Sequence, residues 1–348
     1  MATATIVGAG FMGSAMAWPL IDNGFEVNLV GSVLDDDIIK ACLESGKHPK
    51  LKRTLPKGIT PVYWKDCDEA IRSADLIVCG VSSPGIDWAA TELGKRIQAH
   101  QLVVGITKGL RIEDGEITLF PDLLRRAFPA DLQETIFPAA IGGPCIAGEL
   151  AAKRPTCVIL SSHDSATAEK IAGMLRTPYY NISTSKDLLG LEIGVALKNA
   201  YCLGVGMAYG MHTADEAEMN IHNTAAAVFA QGTHEIAKIL AITNTTVGFA
   251  SGLPGAGDLF VTTAGGRTMK LGRLLGEGVA YQEALKILSE ITLESVQIVT
   301  EMSKILPVWE REGKITKESL PLMRTLIAAV VEEQPVVFHY EHFFKDVI

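Results

Sequence analysis

Short runs of aliphatic and β-branched residues at 3–7, 27–30, 76–79, 102–106, 136–140 and 157–160 recur through the first half of the chain. Polar or amphipathic stretches separate most of them. Strands that are apolar on both faces and alternate with helical segments predict a mostly parallel sheet covered on both sides, the doubly wound α/β arrangement. Beyond residue 187 the strand signal fades. Long stretches with helical period follow at 188–209, 223–242, 268–275, 281–288 and 294–310. The boundary is therefore expected near Asp187, with a sheet domain at 1–187 and an all-helical domain at 188–348.

Composition narrows the function classes. The 348 residues are too many for one ordinary core, and 48% hydrophobic content is enough to fill two. A net charge of −9, with no cluster of Lys and Arg, argues against a nucleic-acid partner. The six cysteines lack C-x-x-C spacing and read as reduced thiols, which fits a cytoplasmic protein. No uninterrupted apolar stretch reaches the roughly 18 residues that a membrane span needs, and the first residues lead straight into a strand rather than through a basic leader.

The first strand runs into Gly8-Ala-Gly10-Phe-Met-Gly13, a G-x-G-x-x-G turn that opens a helix. In that context the three glycines have distinct uses. Gly8 permits the tight turn, Gly10 lets the backbone approach a pyrophosphate, and Gly13 lets helix and strand pack closely. Helix N–H groups then face the phosphates. This predicts a Rossmann domain with Gly8, Gly10, Phe11, Met12 and Gly13 against a dinucleotide. The selector of NAD or NADP is expected roughly 20 residues on, where the chain reads Val30-Gly31-Ser32, without an acid or arginine for the ribose. Asp35, Asp36 and Asp37 follow and would repel a 2′-phosphate, favouring NAD with NADP open. The alternative is that these acids only start a solvated helix.

Along the 188–209 stretch, Gly190, Gly194, Lys198, Cys202 and Gly206 recur every four residues, so one lysine sits within a stripe of small side chains. Apolar neighbours would disfavour the charged ammonium and tune Lys198 for proton transfer. A packing seam with a snorkelling lysine gives the same spacing. Further on, 252–268 is glycine-rich and carries Asp258, Thr262, Thr263, Arg267 and Thr268. That composition suits a loop around a small polyanion, with Arg267 on phosphate and Asp258 orienting Lys198 or a substrate hydroxyl. Asp258 as a helix cap and Arg267 in solvent is the structural alternative.

Taken together, Gly8-Ala-Gly10-Phe-Met-Gly13, Thr107-Lys108-Gly109, Gly142-Gly143-Pro144-Cys-Ile-Ala147-Gly-Glu149, Glu192-Ile-Gly194-Val-Ala-Leu-Lys198-Asn199 and Gly257-Asp258-Leu-Phe-Val-Thr262-Thr263 resemble the NAD(P)-dependent glycerol-3-phosphate dehydrogenases over nearly the whole chain. The resemblance implies a helical domain like the C-terminal part of 6-phosphogluconate dehydrogenase and a homodimer. It also implies that Lys198 gives a proton to the C2 oxygen of dihydroxyacetone phosphate, with Lys108 as second catalytic lysine. Lys108, Asn199, Asp258, Thr262, Arg267 and Thr268 would bind the substrate. Ser32, Lys108, Ala147, Arg267 and Glu294 would join the glycine turn at the cofactor.

The departures from the family pattern gather at the substrate end. Arg267-Thr268 stands where the pattern has Arg-Asn, Glu294-Ser295 where it has Glu-Gly in a cofactor-proximal loop, and the 210–222 segment is longer than usual. Another polyol or ketose phosphate is therefore open as substrate. So are a 6-phosphogluconate or 3-hydroxyacid type of dehydrogenase and a nucleotide sensor without turnover. Retention of Lys108, Lys198, Asn199 and Asp258 disfavours the sensor. His212, Asp215 and His222 lack a compact ligand motif, and no metal is assigned.

Overall fold

Eight strands between residues 3 and 185 share one sheet: β1 (Thr3–Val7), β2 (Glu26–Val30), β3 (Ile59–Val62), β4 (Leu76–Cys79), β5 (Leu102–Gly105), β6 (Ala139–Gly142), β7 (Thr156–Ser161) and β8 (Tyr180–Ser185). The computed structural model describes residues 1–211, 222–288 and 293–345. The spatial order is β8-β7-β6-β5-β4-β1-β2-β3. All neighbours are parallel except β6 and β7, which pair antiparallel through Ile141 and Leu160.

Alternation along these strands divides the core in two. Ile6, Val78 and Val104 face one apolar cluster, filled by Leu20, Ile171 and Leu175 of the Ala17–Asp22 and Ser165–Leu175 helices. Val7, Ile77 and Val103 face the other, with Ile86 and Leu93 of the Ile86–Gly94 helix and Leu124 of the Phe120–Arg126 helix. Helices cover both faces, as a doubly wound sheet requires.

Within this sheet the sequence pattern misplaces one strand and misses two. The strand expected at 136–140 runs over Ala139–Gly142, starting just past Pro138, which has no N–H for a ladder. The edge strands β3 and β8 were not expected. β3 contains Pro61, and β8 exposes Asn181 and Ser183, so neither reads as an apolar run.

Two compact units emerge, Met1–Lys108 with Leu119–Leu191, and Gly109–Thr118 with Glu192–Ile348. The boundary thus falls after Leu191 rather than at the expected Asp187, and one further segment changes sides. The hairpin of Leu110–Glu113 and Glu116–Leu119 goes mainly to the second unit, where Ile112 N–H donates to Glu301 Oε2 at 2.7 Å. A turn of small and charged residues carries no sign of which unit it joins.

The rest of the second unit is helical, with helices at Leu188–Gly210, His222–Ile242, Arg267–Gly276, Tyr281–Ile287, Glu294–Arg311 and Pro321–Val330 among the described residues. The Leu188–Gly210 helix is long and apolar enough to cross a bilayer, but 94% of that window is buried inside the protein, as expected of a core helix. Glu235, fully buried, ties three helices together. Its carboxylate accepts from Leu322 and Met323 N–H at 2.7 and 2.9 Å, from Gln231 Nε2 at 2.8 Å and from Tyr201 Oη at 3.1 Å. The first two bonds cap the start of the Pro321–Val330 helix, whose N–H groups have no partner within the helix.

Candidate active site

The glycine turn leaves β1 with Gly8 at φ +105°, where a side chain would be strained and its Cβ would sit 2.8 Å from Gly80 O. A Cβ on Gly13 would meet Gly8 O at 2.3 Å, so the Phe11–Ala15 helix approaches the turn only because residue 13 is glycine. A Cβ on Gly10 would meet nothing within 4 Å. The backbone is thus bare on the side where a pyrophosphate would lie, and the turn fits a dinucleotide. Phe11 is exposed and Met12 half-buried beside it.

Asp35 turns inward. It is 8% exposed, and its Oδ2 accepts from Ala9 N–H at 3.1 Å, Ser32 N–H at 2.9 Å and Ser32 Oγ at 2.7 Å. Asp35 therefore differs from the solvated helix-start reading, whereas Asp36 and Asp37 are exposed in the first turn of the Asp36–Ser45 helix. Ser32 lies at the expected position after β2, engaged with Asp35. Lys108 and Ala147 belong to the same unit. Lys108 Nζ donates to Gly143 O at 3.3 Å, and Met12, Lys108, Gly143 and Cys145 line one cleft. Ala147 opens the next short helix, Ala147–Ala151.

In the second unit the small-residue stripe is a seam, and the lysine lies within it. Gly194 admits Pro254, whose Cβ would be 3.0 Å from an added Cβ, and Gly206 admits Met269 O at 2.9 Å. These approaches bring the 253–263 segment and the Arg267–Gly276 helix onto the Leu188–Gly210 helix on either side of Lys198. Lys198 is 6% exposed. Its Nζ donates to Thr262 Oγ1 at 2.6 Å and lies 3.1 Å from Oδ1 of Asp258, itself 1% exposed. Thr262 Oγ1 in turn donates to Asp258 O at 2.6 Å, so its lone pairs are turned to the lysine. The buried Asp258 carboxylate thus faces Nζ directly, a partner that the small-residue stripe alone does not disclose. One helical turn on, burial pushes the Cys202 thiol up to about 12, which removes it as a nucleophile.

Asn199 and Glu294, expected at substrate and cofactor respectively, touch each other: Asn199 Nδ2 donates to Glu294 Oε2 at 2.9 Å. Thr268 Oγ1 donates to Ser295 Oγ at 3.3 Å. Arg267 is exposed at the first position of its helix, behind Gly265 and Gly266 at φ +154° and +102°. An arginine at a helix N-terminus preceded by bare backbone offers both a fork and free N–H groups to an anion. The buried part of the site thus holds a proton, and its exposed rim can hold a phosphate.

His222 begins the His222–Ile242 helix, its ring edge-on to Tyr209 at 6.5 Å. His212, Asp215 and most of the 210–222 segment lie outside the described residues. The six cysteines are free thiols. Sequence reasoning missed the inward turn of Asp35. The only hint is that three consecutive acids follow a strand end, where one can cap backbone N–H groups.

The family model described as NAD-dependent glycerol-3-phosphate dehydrogenase N-terminus matches residues 3–168, and the C-terminus model of the same family matches 187–337. An NADP(+)-dependent glycerol-3-phosphate dehydrogenase of Archaeoglobus fulgidus is 33% identical over 282 residues, covering 81% of this chain and 82% of the relative. A glycerol-3-phosphate dehydrogenase [NAD(P)+] of Agathobacter rectalis is 31% identical, covering 82% and 81%. Among solved structures, glycerol-3-phosphate dehydrogenase from Coxiella burnetii superposes with TM-score 0.77 at 22% identity over 96% of each chain. The Plasmodium falciparum enzyme gives 0.82 at 17% identity, over 100% of this chain and 96% of that one. These two structural likenesses speak for the fold.

Proposed function

Because the chain belongs to the NAD-dependent glycerol-3-phosphate dehydrogenase family, and is accordingly an NAD(P)-dependent oxidoreductase interconverting sn-glycerol 3-phosphate and dihydroxyacetone phosphate, we propose that Lys198 is its acid and base at the C2 oxygen. The observation that carries this is the buried ammonium of Lys198 held by Asp258 and Thr262. The bound nicotinamide supplies or accepts the hydride at C2. Lys198 Nζ gives its proton to the C2 oxygen as negative charge develops there, and takes it back in the oxidative direction. Asp258 and Thr262 fix Nζ so that proton transfer needs no search over rotamers. Asn199, beside Lys198 on the same helix, is oriented by Glu294 to donate to a substrate hydroxyl.

Arg267 and the N–H groups that open its helix hold the phosphate, while Gly8 to Gly13 hold the pyrophosphate of the cofactor. Asp36 and Asp37, exposed after β2, disfavour a 2′-phosphate, so NAD is preferred to NADP. A homodimer is part of the same reading. The test is a turnover panel followed by the reduced-nicotinamide absorbance. Dihydroxyacetone phosphate with NADH should turn over fastest and unphosphorylated dihydroxyacetone far more slowly; equal rates for the two would remove the phosphate site from the account.

A further inference from the structure

His48 lies in a two-residue strand, Lys47–His48, paired with Arg53–Thr54, well after the glycine turn in sequence, and it is completely buried. Its Nδ1 accepts from Leu51 N–H at 3.0 Å. That nitrogen must keep its lone pair, so in the neutral ring the proton sits on Nε2. Nε2 is 3.1 Å from Ala9 O, a group that can only accept, and 2.9 Å from Ser14 Oγ. Ala9 is the residue between the first two glycines of the turn. Its N–H is taken by Asp35 Oδ2 at 3.1 Å. Both polar groups of one fully buried residue are therefore held by side chains from the segment that follows β2.

The geometry has a direct consequence for the cofactor. A trans peptide is planar, with its C=O and N–H pointing opposite ways. Holding Ala9 O against His48 therefore points the N–H of Gly10 away from His48. We infer that His48, as the neutral Nε2–H tautomer, is a positioning residue that aims the Gly10 N–H at the cofactor pyrophosphate, and that its protonation releases the cofactor. The inference rests on the assignment of the glycine turn to the dinucleotide. Protonation leaves the Nε2–H in place but puts a second N–H at Nδ1, against the Leu51 N–H donor; the ring must turn away from Leu51, and its contact with Ala9 O turns with it.

The charged groups facing the ring are Lys50 from its own turn, which disfavours the imidazolium, and Asp35 from the segment after β2, which favours it. Ser14 faces it from the Phe11–Ala15 helix with a neutral hydroxyl. Burial is the largest influence and holds the imidazole below its ordinary value of 6.5. The sign follows: the neutral, binding-competent ring persists above that depressed value. Binding is lost as the pH falls through it, in the range below 6.5.

The test is calorimetric titration of the full chain with NAD⁺ at a series of pH values from weakly alkaline to acidic. The wild type should weaken on the acid side with a one-proton dependence. His48→Gln can still donate from its amide to Ala9 O but cannot titrate; it should bind within a few-fold of wild type at alkaline pH and show no acid limb. His48→Leu should weaken binding roughly tenfold or more, with kcat at saturating cofactor little changed. An acid limb that persists in His48→Gln overturns this inference while leaving the dinucleotide assignment standing. Failure of the wild type to bind NAD⁺ or NADP⁺ at any pH overturns both. Should His48→Leu fail to fold, the comparison of wild type with His48→Gln decides alone.

Discussion

Thr268 Oγ1 donates to Ser295 Oγ at 3.3 Å, so two of the three departures expected from the resemblance to the family pattern are in contact. Ser295 is fully buried, where the pattern's glycine would leave space, and Thr268 is shorter than the pattern's asparagine. The two departures read as one exchange: a hydroxyl added at 295 meets the side chain shortened at 268. Thr268→Asn and Ser295→Gly should each raise KM for dihydroxyacetone phosphate, and the double variant should recover most of the loss. A double-mutant cycle on kcat/KM should give a coupling of about 0.5–1.5 kcal/mol. Strict additivity would mean that the contact carries no coupling.

The glycine turn separates fold from binding at two positions three residues apart. Gly10→Val should melt like the wild type, because its Cβ meets nothing within 4 Å, yet fail to bind NAD⁺ because the branched side chain occupies the bare side of the turn. Gly13→Ala, whose Cβ would lie 2.3 Å from Gly8 O, should lose about 3 kcal/mol of stability by displacing helix from strand. Denaturant titration and calorimetry on both variants check this. A stable Gly13→Ala would contradict the packing argument, and a Gly10→Val that binds normally would contradict the placement of the pyrophosphate.

Most of the sheet was legible because strands buried on both faces are continuous apolar runs, as in β1 and β4. The edge strands were not, since β3 carries Pro61 and β8 exposes alternate polar residues. Helices with a clear period, such as Glu294–Arg311, are legible to within a residue or two; Pro321–Val330 is not among the expected helices, and its N-terminal cap, the Glu235 carboxylate, comes from a distant part of the chain. The site shows the same division. Lys198, Asp258 and Thr262 were named from local motifs and do meet. The partners of Ala9 could not be named, because Asp35 and His48 reach it only through tertiary packing.

Glu235 offers a stability prediction independent of activity. Glu235→Ala would leave the N–H groups of Leu322 and Met323, the Tyr201 hydroxyl and the Gln231 amide without their shared acceptor in a dry core. The expected loss is about 3 kcal/mol or more by urea unfolding. A loss below about 1 kcal/mol, within the range of an ordinary surface change, would show that the three helices do not depend on this carboxylate.

Arg267 is exposed at the start of its helix, so its removal should spare the fold. Arg267→Ala should raise KM for dihydroxyacetone phosphate by roughly one to two orders of magnitude, the worth of a charge-assisted hydrogen bond pair. Arg267→Lys should restore it only in part, because an ammonium cannot make the two-pronged contact. Unchanged KM in Arg267→Ala would move the phosphate elsewhere.

The proposed role of Lys198, moving the proton at the C2 oxygen, is decided by single-turnover and steady-state rates of Lys198→Met with dihydroxyacetone phosphate and NADH. The kcat should fall by roughly two to four orders of magnitude while NADH affinity stays within a few-fold of wild type, and Lys198→Arg should be equally impaired because guanidinium keeps its proton. A Lys198→Met enzyme with near-normal kcat would contradict it and leave Lys198 as a packing residue in the helix seam.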